Sequence, residues 1–259
     1  MHAAAHAAWY QFITTFEGDV PHMYLDDRKL VRVGIGTPID STAAALELPF
    51  QFKLGNTLGI EPGTPASREH IESEWTSLKY HPNRELLALR GPLRCARLTQ
   101  LELGADVRQH LFERASIESE ARLVAHFPEF PRWPADAQLA LLAMARSVGK
   151  RFPRTWEQLS AACRREDFRA VAHECRIPSW RPERNEISVL LFHNAARILA
   201  SPHARNAAQL YYPEALLERQ WKRQGPEAPC HAQLKTPWAA CVKTPPVPQD
   251  SAPERRSGR

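Results

Sequence analysis

The chain has 259 residues, with 43% hydrophobic and 24% charged residues, the usage of an ordinary globular protein and not of a disordered or collagen-like one. No apolar run approaches the ~18 residues of a membrane span, which excludes a transmembrane segment. Lys and Arg exceed Asp and Glu, 34 against 29, and a net charge of +5 favours polyanionic partners without choosing among nucleic acid, anionic lipid and cell wall.

Trp9, Phe12, Ile13 and Phe16 recur at helical spacing and predict an N-terminal helix that stops at Glu17-Gly18. From Met23 to Ile35 a polar, turn-like centre, Asp26-Asp27-Arg28-Lys29, precedes β-branched residues, which predicts a small hairpin. Gly34 and Gly36 flank Ile35, where the backbone must bend or be approached closely. Residues 37–66, punctuated by prolines, read as loop with short helical pieces.

Helices are expected to dominate thereafter. Ser67 caps a helix carrying Ile71, Trp75 and Leu78. Thr99-Gln-Leu-Glu102 has the form of a capping box, with Leu98 and Leu103 as its staple, and predicts a helix running to the early 120s. Pro134 opens another helix, through Leu139, Leu142 and Arg146. Thr155-Trp-Glu-Gln158 is a second capping box, Phe168–Cys175 a short helix, Ile187–Ile198 part of a long one, and about 205–223 the last. Residues 1–223 thus form one domain, α+β but mainly α. The proline-rich remainder, 224–259, is expected to be a mostly disordered tail.

The cysteines Cys95, Cys163, Cys175, Cys230 and Cys241 have neither CxxC nor zinc-finger spacing. Cys163–Cys175 and Cys230–Cys241 are the pairs an oxidising compartment would allow, but an odd number favours free thiols. The histidines lack a completing ligand set, as with His2 and His6 on one helix face, so no metal is expected and no cofactor. The first nine residues have no Lys or Arg before a long apolar core, so no secretory signal is expected there.

Glu17 and Asp26 carry the chemistry. A carboxyl ending an apolar helix is held against hydrophobic neighbours, which disfavours its charged form and suits a general acid. Asp26, at a turn and expected to be the more exposed of the two, should stay ionised. Carboxyls in unlike environments are what glycosidic cleavage requires.

Phe16-Glu17-Gly18, Met23-Tyr24-Leu25-Asp26 and Val33-Gly34-Ile35-Gly36 together resemble the catalytic segment of the phage-type lysozymes, the T-even phage muramidase kind. Gly18-Asp-Val-Pro-His-Met-Tyr-Leu-Asp26 is closer still to lysozyme-like effectors of type VI secretion. Leu139–Gly149 resembles the family's central helix, Phe152–Phe168 the helical hairpin after it, and Trp180-Arg-Pro-Glu-Arg184 the Trp and Pro-x-Arg segment near its C-terminal helix. The resemblance implies a lysozyme-like fold, with a small N-terminal β-hairpin and a helical C-terminal lobe. It implies hydrolysis of the β-1,4 bond between N-acetylmuramic acid and N-acetylglucosamine in peptidoglycan by an inverting route.

On this match Glu17 protonates the leaving oxygen, Asp26 activates water, and Arg184 pairs with Glu17. Gly34, Gly36, Ser147 and Gly149 meet substrate. Two departures stand out. Arg32 replaces the family's water-positioning threonine and, having only donors, could pair with Asp26 and weaken it as a base; Asp27 or Thr37 would then compensate. Lys29 replaces the usual turn glycine. The resemblance further implies a monomeric antibacterial effector, made in the bacterial cytoplasm and acting in a target cell's periplasm. Its partners would be peptidoglycan, an immunity protein and a component of the secretion machine. The alternatives are a catalytically degenerate peptidoglycan-binding module and a lytic transglycosylase. A nucleic-acid-binding role lacks any supporting motif.

Overall fold

The computed structural model describes residues 1–154, 156–201, 203 and 206–212. It is mainly helical with small antiparallel sheets, with one apolar core around an N-terminal hairpin and another among helices of the C-terminal half.

The first core surrounds the hairpin that follows the first helix, and that helix itself packs on the second core. Helix α1 (Ala3–Glu17) buries Trp9, Phe12 and Ile13 of the predicted stripe and leaves Phe16 half-buried, and it ends where Gly18 turns the chain at φ +71. Strands β1 (Val20–Leu25) and β2 (Val31–Gly34) form the expected hairpin, with Tyr24 opposite Arg32 and Leu25 opposite Val31. A third strand, β3 (Thr37–Pro38), pairs with β2 inside the stretch expected to be loop. Alternation along β2 puts Val31 and Val33 inward, both fully buried, and turns Arg32 to the other face. Around the hairpin sit α2 (Thr42–Leu46), α3 (Arg68–Lys79), α4 (Arg84–Arg90) and α5 (Pro92–Cys95). Met23, Trp75, Leu87 and Cys95 join one apolar cluster. Ser67 caps α3 as predicted, accepting from the His70 amide.

The capping box at Thr99 is not used. Leu101–Glu102 is strand β5, antiparallel to β4 (Gln51–Phe52), and the helix begins only at α6 (Ala105–His126). The Thr99 hydroxyl donates backward to the Cys95 carbonyl at 3.2 Å, while Glu74 takes the Gln100 and Leu101 amides. Pairing Phe52 with Leu101, both buried, overrides a local signal that satisfies only exposed helix-end groups.

The second core is built around α7 (Ala135–Val148), whose residues 135–145 are all buried. Helices α1, α6 and α10 (Pro182–Ala200) pack on it, and α10 also packs on α9 (Phe168–Glu174). Helix α8 (Glu157–Arg164) follows Thr155, which lies outside the described residues. The chain after α10 returns to this core. Ala207 accepts from the Ala135 amide at 2.8 Å, and Tyr212 packs edge-on against Phe12. Residues 206–211 are turn or irregular, where the helix over 205–223 was expected. Residues 213–223 and the tail, with Cys230 and Cys241, lie outside the described residues. Cys95, Cys163 and Cys175 are buried free thiols, and burial pushes the Cys163 and Cys175 thiols up to about 12.

Candidate functional site

The end of α1, the hairpin and the last turn of α7 converge on an open cleft of about 280 Å³, lined by Glu17, Tyr24, Asp26, Asp27, Arg28, Arg32, Gly36, Pro92, Arg146, Ser147, Ser179 and Trp180. At that size it accommodates a small part of a polymer.

Glu17 is held from the side of the helical core. Its Oε1 accepts from the Ser147 hydroxyl at 3.1 Å and from Arg184 Nη2 at 2.9 Å. The same Nη2 donates to Ser147 Oγ at 3.0 Å, closing a triangle among α1, α7 and α10. Arg184 is buried, and its guanidinium lies 3.8 Å from the Trp180 ring centroid and 5.4 Å from that of Phe16, a stacking that lets a buried cation keep favourable neighbours. On the other side of the carboxylate the wall is bare backbone. A Cβ placed on Gly36, where φ is +66, would stand 2.7 Å from Glu17 Oε2.

Asp26 is held quite differently, and less openly than its turn position led us to expect. Its side chain is 12% exposed and that of Glu17 20%. Oδ1 accepts from the Arg28 and Leu30 amides, each at 2.9 Å, as turn aspartates do. Oδ2 accepts from Arg32 Nε at 2.5 Å. The pairing anticipated for Arg32 is therefore present. Of about four acceptor positions on an ionised carboxylate, three are filled and one, on Oδ2, stays open. Lys29 adopts the left-handed conformation, φ +62, that a glycine takes more easily. Its amide donates to Asp26 O at 2.9 Å, and its ammonium meets exposed Glu85.

Asp27 and Arg28 are exposed on the cleft rim. Thr37, Gly34 and Gly149 are not among the cleft-lining residues. Thr37 is paired with Val33 in β3. Gly34 is paired with Val20 and backed by the Arg108 side chain. Gly149 closes α7 at φ +73. The predicted set thus divides. Glu17, Asp26, Asp27, Arg32, Gly36 and Ser147 line the cleft and Arg184 stands behind it, whereas Thr37, Gly34 and Gly149 serve the backbone around it.

Arg146 lines the cleft too, outside the predicted set. Its Nη2 donates to the Ile35 carbonyl, its guanidinium lies 5.1 Å from the Phe112 ring centroid, and its Nε has no hydrogen-bond partner. Burial lowers its pKa from the ordinary arginine value, and the nearby Glu17 charge opposes that. A lone arginine ending a helix otherwise buried along its length was the available signal, because arginine is almost never buried without a partner. Tyr24 is a second addition. Its hydroxyl pKa is raised, first by burial and then by the Glu17 charge, so it stays protonated and able to donate. Trp180 is the cleft tryptophan. Trp133 is instead buried among Phe127, Phe130 and Phe168. His22 is a structural residue, with Nε2 2.9 Å from the Pro92 carbonyl and its pKa lowered by burial. Among the described residues no cluster of His, Cys, Asp and Glu could hold a metal ion. No family model, curated protein or solved structure matches the chain.

Proposed function

We propose that the chain is a peptidoglycan muramidase on a lysozyme-like fold, hydrolysing the β-1,4 bond between N-acetylmuramic acid and N-acetylglucosamine. One observation carries the reading: an acid at a helix end, clamped by Ser147 and Arg184, shares a cleft with a second acid on the facing hairpin. Glycoside hydrolysis needs such a pair, one group to protonate the leaving oxygen and one to handle water. Glu17 is the proton donor. Asp26 takes a proton from the attacking water through the remaining position of Oδ2, as the water oxygen bonds the anomeric carbon from the face opposite the departing glycosidic oxygen in an inverting displacement, while Arg32 fixes the Asp26 rotamer. Trp180, with Arg184 over its ring and itself lining the cleft, meets the sugar. The basic composition suits an anionic wall polymer. Delivery into a target cell's periplasm as an antibacterial effector, with an immunity protein in the producer, belongs to the same proposal.

A second reading has its own support. With three of the Asp26 acceptor positions filled, its capacity as a base is small. That favours a peptidoglycan-binding module without turnover, or a lytic transglycosylase working through Glu17 alone. Turnover of purified peptidoglycan by wild type, Glu17→Gln and Asp26→Asn, with products identified by mass, separates the three. Reducing-end muropeptides lost in both variants support the muramidase. Anhydro ends that survive Asp26→Asn mark the transglycosylase, and binding without products marks the module. Full activity in Glu17→Gln would sink both enzymatic readings.

A further inference from the structure

The α4–α5 corner carries a feature that the cleft chemistry does not use. Inward, Leu87 and Cys95 anchor it in the hairpin core. Outward, Leu89 and Leu93 are each 84% exposed, and Leu86 and Leu98 each 45%. Arg84, Arg90, Arg94 and Arg97 alternate with them and are exposed as well. None of these arginines forms an ion pair with a described residue. The stretch has one acid, Glu85, which already pairs with Lys29.

We infer that this corner is a docking surface for an anionic lipid bilayer. Leucines this exposed protrude; a groove built for a peptide would shelter them. Protruding apolar side chains set among cations suit a soft receiver in which leucine enters the acyl boundary while each arginine lays its stem along it and keeps its charge at the headgroups. A second copy of the chain is the poorer occupant, because a self-complementary contact would set arginine against arginine. Pro92, between Leu89 and Leu93, also lines the cleft, so a molecule docked this way holds its cleft mouth beside the membrane. The inference does not depend on what the cleft catalyses.

Flotation of the full chain with vesicles tests it. The probes are phosphatidylcholine alone and phosphatidylcholine mixed with phosphatidylglycerol. Binding is expected to the mixed vesicles only and to weaken with salt. The double variant Leu89→Ser, Leu93→Ser is expected to reduce partitioning on the order of tenfold while melting with the wild type, because neither side chain is buried. Arg90→Ser, Arg94→Ser should reduce it as well. Undiminished binding by the leucine variant, binding to both vesicle types alike, or no binding at all would overturn the inference. So would a wild-type dimer that the leucine substitutions dissolve without vesicle binding, since that would place a second copy on this face.

Discussion

Arg32 bridges Asp26 and Gly36: its Nε donates to Asp26 Oδ2 at 2.5 Å and its Nη1 to the Gly36 carbonyl at 2.6 Å. The second bond holds the backbone that walls Glu17, so one side chain governs the surroundings of both cleft acids. Arg32→Thr removes a donor from Asp26 and returns a hydroxyl that can both donate and accept. On the muramidase reading turnover should rise severalfold, read from release of reducing-end muropeptides. A fall would mean that the Gly36 contact matters more than the freed Asp26 oxygen.

Gly36 and Gly34 make a matched pair. Both have positive φ, +66 and +60, so alanine at either should cost about 1–2 kcal/mol in backbone strain. They differ in what the new methyl meets. At Gly36 it stands 2.7 Å from Glu17 Oε2; at Gly34 the nearest atom is Arg108 Cβ at 3.7 Å, an ordinary contact. On the muramidase reading Gly36→Ala should therefore abolish turnover as Glu17 is pushed from its clamp, whereas Gly34→Ala should retain it at similar stability. Urea unfolding of both, beside their activities, checks the contrast.

The sequence was most legible where burial is periodic. Trp9, Phe12 and Ile13 announced α1, and the β-branched run announced β2, because one face of each must meet a core. It was least legible where a distant group decides. Nothing local shows that Phe52 will pair with Leu101, or that Glu74 will take the amides of Gln100 and Leu101. The site divides in the same way. Glu17 and Asp26 carried their own frame in the chain, whereas Arg146 meets Ile35 only through the packing of α7 against the hairpin.

Two buried acids set a pH dependence. Burial pushes the Glu74 carboxyl up to about 7, against the donors at Gln100 and Leu101, and that of Asp136 up to about 6. Between about pH 4 and 7 the folded chain then binds more protons at these groups than the unfolded chain, so their contribution to stability declines as pH rises. It is complete below the unfolded values and lost above the folded ones. Glu74→Gln keeps an oxygen for the two amides and cannot ionise. Relative to wild type it should gain with pH, from little difference near pH 4 to roughly 3 kcal/mol above pH 8. Urea midpoints at pH 5 and 8 measure this; a gap between the two proteins that stays constant with pH would assign the pH dependence to other groups.

Arg184 tests the clamp itself. Its Nη2 serves Glu17 and Ser147 together, and its guanidinium carbon sits 3.8 Å over the Trp180 ring centroid. Lysine keeps the charge but has neither the planar face nor the fixed fork of donors. Arg184→Lys should lose roughly 2 kcal/mol of stability, less than the ~3–5 kcal/mol for breaking a buried pair, because the charge stays and Glu17 is partly exposed. Thermal unfolding gives that figure. Crossing it with Glu17→Gln isolates the interaction, and a coupling of about 1–3 kcal/mol is expected. Coupling near zero would make Arg184 a packing residue of α10 with no hold on the acid. Strong coupling with a large loss of turnover in Arg184→Lys would make it the residue that positions Glu17.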